Sequence, residues 1–374
     1  MKAMKSIAII ISILTLSGCL SNPKETDGGE VTELHLLWQY AYDLDGGPPI
    51  VHPMITEEGL LLSSGDNNVT ALEPENGSEV WKTSLNHSSS LTNRRFGKLD
   101  NVITGSVLRR VMAWDIFSGE ELWSIDFEEP MTWSNFTGLS VTGENCITYG
   151  REGDLYMISP DGALQIKNYE ARVYDSIMNS YILYLNQARS NSAVFTAINT
   201  GNGEIVWQQE YEGFGFPAYA PPIVENDILY VGTTSGPTGS KNGFFALDAH
   251  TGEEIWRQEG ILTYSVVLVE DYLYIHDASG IYKLNKSDGS IEWYSDFNAG
   301  NGTAPIDYGY GYIYAPHSGA MHVVDAESGE IVHRFSPPDG SFFWRVTAGE
   351  GRIFAQSSRH LYAFAPWGYE EALE

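Results

Sequence analysis

Few residues in this chain have the types and spacing for covalent chemistry, and many could hold a partner. Two cysteines, Cys19 and Cys146, cannot build a cysteine metal site, and histidines such as His52, His276, His317 and His360 are scattered without metal-ligand spacing. No nucleophile with an adjacent base and no phosphate-cradling glycine loop stands out, so no catalytic residue is expected. Guanidinium groups are the better candidates, because their forks hold carboxylates bidentately. Arg94, Arg95, Arg109, Arg110, Arg151, Arg172, Arg189, Arg345 and Arg359 fall in or beside one class of connection, and Trp133, Phe136, Phe214, Phe216, Tyr219, Phe342 and Trp344 come from the same class. Arginine with exposed aromatics anchors protein interfaces, so these residues define a candidate binding face for an anionic or carboxylate-bearing partner. The plainer alternative is that the arginines pair with nearby acids such as Glu152, Asp154 and Glu170 while the aromatics plug a channel or pack between structural units.

The elements that must position these residues repeat. A glycine precedes a tryptophan by four residues at Gly77 and Trp81, Gly119 and Trp123, Gly203 and Trp207, Gly252 and Trp256, and Gly289 and Trp293. Gly162 before Ile166 and Gly329 before His333 are weaker copies. Spacings of about 40 residues, each with β-rich runs upstream, match a four-stranded propeller blade. Asp or Asn with Gly makes the tight turn, which assigns Asp115, Asp248 and Asp325 to turns, and the tryptophan then packs between neighbouring blades from the outer strand.

The segment from Leu34 to Tyr42, with Trp38, resembles an outer strand lacking inner ones, and Phe343 to Phe364 supplies three strands lacking an outer one. Joining the two makes an eighth blade and removes exposed sheet edges. The expected fold is an all-β propeller of eight four-stranded antiparallel blades over residues 34–368, with residues 369–374 a tail; seven blades is the alternative if a weak copy is an embellishment. Within each blade the connections between second and third strands and between successive blades share one end, and the arginines gather there. The other end collects acids, as at Glu57-Glu58, Glu253-Glu254, Glu270-Asp271 and Asp325 to Glu330.

Residues 1–18 carry Lys2 and Lys5, an apolar run too short to span a bilayer, and small residues, the pattern of a secretory signal. Leu16-Ser17-Gly18-Cys19 is similar to the lipobox of prokaryotic lipoproteins, which implies acylation at Cys19 and a membrane attachment through lipid alone. Residues 19–33 then read as a flexible tether. Cys146, in a strand pattern, is expected to be a small core residue. The net charge of −28 disfavours nucleic acid and anionic lipid surfaces as partners.

Ala246-Leu247-Asp248-Ala249-His250-Thr251-Gly252-Glu253-Glu254-Ile255-Trp256 resembles the docking motif of the pyrroloquinoline-quinone enzyme repeat at all five defining positions. That family includes quinoprotein dehydrogenases and non-enzymatic lipoproteins of outer-membrane protein assembly. The dehydrogenase branch implies a bound quinone, calcium and a catalytic aspartate, often with adjacent cysteines; this sequence has no Cys-Cys pair and presents no calcium-ligand set. The lipoprotein branch fits the lipobox, size and ring without transferring a partner; the expectation is a monomeric, cofactor-free scaffold that binds envelope or cell-surface proteins. A surface receptor for a glycan or small anion is a third reading.

Overall fold

A computed structural model describes residues 34–42, 51–65, 67–85, 96–107, 110–126, 140–142, 145–149, 154–158, 164–168, 172–218, 220–297 and 302–369, with the main chain alone for those between 140 and 172. The signal, the tether and Cys19 lie outside these residues, as does 370–374 of the tail. The described residues contain 32 strands and no helix. No helix among them is long and apolar enough to cross a membrane.

The strands pair into eight four-stranded antiparallel sheets, the blades of a β-propeller. In chain order the blades occupy residues 54–84, 97–126, 140–168, 172–212, 223–259, 265–296 and 307–335, and the last joins 343–364 to 36–41. The weak copy around Gly162 therefore lies in a four-stranded sheet of its own, 140–168.

The fifth blade shows why the repeat folds this way. Its second and third strands, Ile228–Gly232 and Gly243–Asp248, are almost continuously apolar and buried because neighbouring blades cover both faces. The outer strand Glu254–Glu259 alternates, exposing its charged residues and burying Trp256. A bulge between Ala246 and Leu247 places Ala246 opposite Trp256 and leaves Ile255 as the extra residue. The same irregularity recurs at Ala71/Leu72, Ala113/Trp114 and Ala197/Ile198. It leaves Val80, Leu122, Val206 and Ile255 exposed by turning the adjacent tryptophans inward.

Each motif position now has a physical reason. The side chain of Asp248 accepts the His250 and Thr251 amides and the Thr251 hydroxyl; Asp115 and Asp325 do the same in their own turns. The turn glycine has positive φ, and it receives the tryptophan of the preceding blade rather than its own. A Cβ on Gly77, Gly119, Gly252, Gly289 or Gly329 would stand 2.4–2.7 Å from the rings of Trp38, Trp81, Trp207, Trp256 and Trp293 respectively. Each of those indoles also donates Nε1–H across the gap, to the carbonyls of Pro74, Ile116, Ala249, Lys286 and Glu327 at 2.8–3.0 Å. Ring burial supplies most of the energy and the hydrogen bond sets the angle between blades. Where the repeat has His333 in place of Trp, that imidazole stacks on Trp367 at 4.5 Å.

Closure is made by both ends of the chain. Leu36–Ala41 pairs antiparallel with His360–Phe364, and that blade's inner strands, Phe343–Gly349 and Arg352–Ser357, come from the C-terminal side. Trp38 then docks on the first blade as Trp81, Trp207, Trp256 and Trp293 dock on the blades that follow theirs.

Candidate binding face

Antiparallel order forces the connections between second and third strands, and those between blades, to one end of the ring. Several candidate residues sit there, in different states. Arg110 grips Asp126 bidentately, Nε to Oδ1 at 2.7 Å and Nη2 to Oδ2 at 2.8 Å, and Arg189 lies 3.8 Å from Glu210. The Arg110 fork is thus occupied by an acid of its own outer strand, while Arg189 makes one looser ion pair. Arg345 donates to the Trp344 carbonyl at 2.7 Å, and Arg359 is exposed in the turn before His360–Phe364. Arg94, Arg95, Arg109, Arg151, Trp133, Phe136 and Tyr219 lie outside the described residues, and Arg172 is placed only by its main chain at the start of the fourth blade.

The loop that carries Phe214 and Phe216 lies against the connection 233–242. Gly215 N donates to Lys241 O at 2.7 Å, Lys241 N to Gly213 O at 2.8 Å and Thr234 N to Phe216 O at 2.7 Å. Gly215 is required because a Cβ there would overlap the Thr234 carbonyl. The loop does not present its rings to solvent as anchors, however. Phe214 is buried against Phe245, at 5.2 Å between centroids, with Lys241 and Arg257 over its ring. Phe216 is half-buried and stacks on Tyr174. The loop is ladder-bonded to its neighbour, so its rings turn into the blade interface rather than toward solvent.

Exposed aromatic area gathers instead on the closing blade, where Phe342 is 58% exposed and Trp344 43%, in edge-to-face contact at 6.3 Å. Asp339 fixes the loop that carries them. Its carboxylate accepts from the Ser341 amide and hydroxyl, the Ser357 hydroxyl and His360 Nδ1. Burial alone would raise its pKa, but these donors, led by the Ser341 hydroxyl, hold the carboxyl well below the usual range. Ser357, His360 and Asp339 form no catalytic triad. The Ser357 hydroxyl donates to Asp339 and accepts the Arg359 and His360 amides, so it is a turn cap with no base aligned to it.

His276, His317 and His322, which nothing in their spacing marks as neighbours, meet in the folded chain. All three are buried between the sixth and seventh blades, with His276 Nε2 3.4 Å from His317 Nδ1 and His322 stacked on Phe297 at 4.4 Å. Only the pairing of the blades brings them together. No group of three or more His, Cys, Asp or Glu among the described residues is placed to hold a metal ion. The inner strands of four blades line a cavity of about 260 Å³ in the central channel, with His52, Phe96 and Asp307 on its wall. Asp307 is already engaged by the Tyr308 and Ala348 amides.

Comparison with known proteins points one way. Residues 65–165 and 179–307 match the protein family described as outer membrane protein assembly factor BamB. The assembly factor BamB of Legionella pneumophila (strain Paris) is 26% identical over 149 residues, 37% of each chain. BamB of Salmonella typhimurium is 21% identical over 172 residues, 43% of this chain and 42% of its own. The matches thus span under half the length of these curated relatives. Among solved structures, BamB of Moraxella catarrhalis superposes with a TM-score of 0.68 at 16% identity, covering 89% of this chain and 98% of its own. A computationally designed protein, Ika8, gives 0.69 at 12% identity, covering 89% and 100%. At such identities these two superpositions speak to the fold.

Proposed function

The chain belongs to the family of the outer membrane protein assembly factor BamB, and from that premise we propose that it is a non-enzymatic, extracytoplasmic scaffold for envelope proteins, an eight-bladed propeller held to the membrane by lipid on Cys19. One observation carries the reading: the exposed Phe342 and Trp344 pair, where the loop locked by Asp339 enters its strand, lies at the same end of a closed ring as the exposed Arg359. A partner meeting that surface finds it already ordered, which lowers the entropic cost of association. Hydrophobic rings flanked by a cation suit a partner that presents an apolar patch edged by carboxylates.

The test is a photo-crosslinking amino acid at Trp344 in native membranes, followed by mass spectrometry, together with a Cys19→Ser variant. The expected result is a recurrent envelope protein at position 344, and release of the Cys19→Ser chain from the membrane. No partner at position 344, or quinone-dependent alcohol or sugar oxidation by the purified chain, would overturn the reading.

A further inference from the structure

The opposite end of the ring carries a second feature, independent of the face above. Between the sixth, seventh and closing blades lies a groove of about 340 Å³, walled by Tyr272, Tyr274, Tyr308, Tyr310, Tyr312 and Tyr369. These come from separate elements: the edges of two inner hairpins, and the residues just after the last strand. Tyr274 and Tyr308 lie nearly parallel at 6.3 Å, and Tyr310 meets Tyr369 at 5.9 Å. The Tyr274 hydroxyl donates to the Ala326 carbonyl at 3.0 Å, which holds its ring in place.

The groove already holds one cation by its rings. Lys283, buried at its floor, places Nζ 4.0 Å over the Tyr272 ring and 5.8 Å from that of Tyr274, with one hydrogen bond to the Ala326 carbonyl at 3.1 Å. The rim is acidic. Glu270 and Glu327 line it and are exposed, whereas Asp325 is spent on its own turn. The nearby Lys286 directs its ammonium to the Glu225 and Asp271 carboxylates at 2.9 and 3.5 Å and to the Glu270 main-chain carbonyl, and forms no ion pair with the Glu270 or Glu327 carboxylate. Phenol faces are electron-rich and attract cations, and free carboxylates beside them suit a guanidinium in particular.

We propose that this groove binds an arginine side chain of an extended basic segment in a partner polypeptide, the guanidinium stacking at Tyr310 and Tyr369, away from the rings that face Lys283, and pairing with Glu270 and Glu327. The general negative charge of the chain would attract any polycation; this groove adds ring faces to its carboxylates. It thus offers a second, charge-selective contact on the end of the ring away from Trp344.

The test uses the full chain and a fluorescent peptide, acetyl-Gly-Arg-Gly-Arg-Gly-amide, followed by anisotropy at about 0.15 M salt so that unspecific attraction is screened. A citrulline version keeps the shape and removes the charge. Binding is expected to fall about fivefold or more in Tyr369→Ala and in the Glu270→Gln, Glu327→Gln pair, and about tenfold for the citrulline peptide. Glu253→Gln, which removes one charge from the same end of another blade, is expected to leave binding unchanged. Equal loss in Glu253→Gln and the groove variants would reduce the effect to bulk charge and overturn the proposal. So would undiminished binding of the citrulline peptide, or displacement by maltotriose, which would mark a saccharide site. Each variant is compared at matched thermal midpoint, and none touches Trp344, so crosslinking there fails or succeeds separately.

Discussion

The indole of Trp207 covers the α-carbon of Gly252 in the next blade: a Cβ at 252 would stand 2.6 Å from the ring, while Trp207 Nε1 donates to the Ala249 carbonyl at 2.8 Å. One contact therefore ties the outer strand of one blade to the turn of the next, and its copies run around the ring.

Gly252→Ala should destabilise the protein by about 2–5 kcal/mol, since it adds the strain of a side chain at φ +74° to overlap with the ring. Gly260→Ala isolates the first cost, because φ is +91° there with nothing within 4 Å of the new Cβ, and about 1–2 kcal/mol is expected. Urea unfolding of both variants measures the difference. Equal losses would mean that the indole yields freely and docking adds nothing.

Asp248 and Asp115 should be replaceable by Asn at little cost and by Ala at about 1 kcal/mol or more each, since Asn285 already fills the equivalent place and accepts the Ser287 amide. Hydrogen bonds, first from the Thr251 and Ser118 amides, hold the two carboxyls below their ordinary values. Their contribution to stability is therefore complete above the unfolded carboxylate range and is lost as pH falls through the lower folded values. Asn variants should flatten the acid limb of the stability profile, which thermal midpoints between pH 5 and pH 2 would reveal.

The histidine cluster should make the protein acid-sensitive at a higher pH. Burial, with the neighbouring imidazoles and, for His322, the Arg334 cation, depresses His276 and His322 to about 4. Between about 6.5 and 4 the unfolded chain binds protons that the folded one refuses, so stability is complete above that window and falls through it. Asp277 beside them, pushed up by burial, works in the opposite sense in the lower part of the window, and Asp296 also faces it. His276→Gln keeps a donor for the Ala304 carbonyl and His322→Phe keeps the stack on Phe297. The double variant should lose much of the fall between pH 6.5 and 4.5 in urea titrations; an unchanged slope would assign it to carboxylates.

Removing residues 1–42 should leave His360–Phe364 as an open edge and the first blade without its Trp38 contact. Self-association is expected, seen as larger species in size-exclusion chromatography. Trp38→Ala, which keeps the strand, should remain monomeric and lose about 2–4 kcal/mol. A monomeric truncated chain of normal stability would refute closure through this strand.

Much of the architecture was legible in one dimension because blade docking is local and periodic. Gly and Trp four residues apart, with Asp at the turn, are spaced by the geometry of a single hairpin, so the repeat, the turn role of Asp248 and the joining of Trp38 to the C-terminal strands follow from spacing. The direction of docking was not legible. That Trp207 rests on Gly252 rather than on its own Gly203 depends on how one sheet leans on the next.

The candidate sites divide along the same line. Residue type and loop class placed Trp344 and Arg359 at one end, whereas the burial of Phe214 and the engagement of Arg110 by Asp126 depend on neighbours that sequence distance does not reveal. The amino-acid order by itself determined a closed ring of sheets, because each unit carries its own turn, bulge and docking ring. Only the tertiary structure decided which side chains face one another across blade boundaries, as in the tyrosine groove and the three histidines, because those contacts join residues some 40 positions apart whose proximity is set by packing angle and not by spacing.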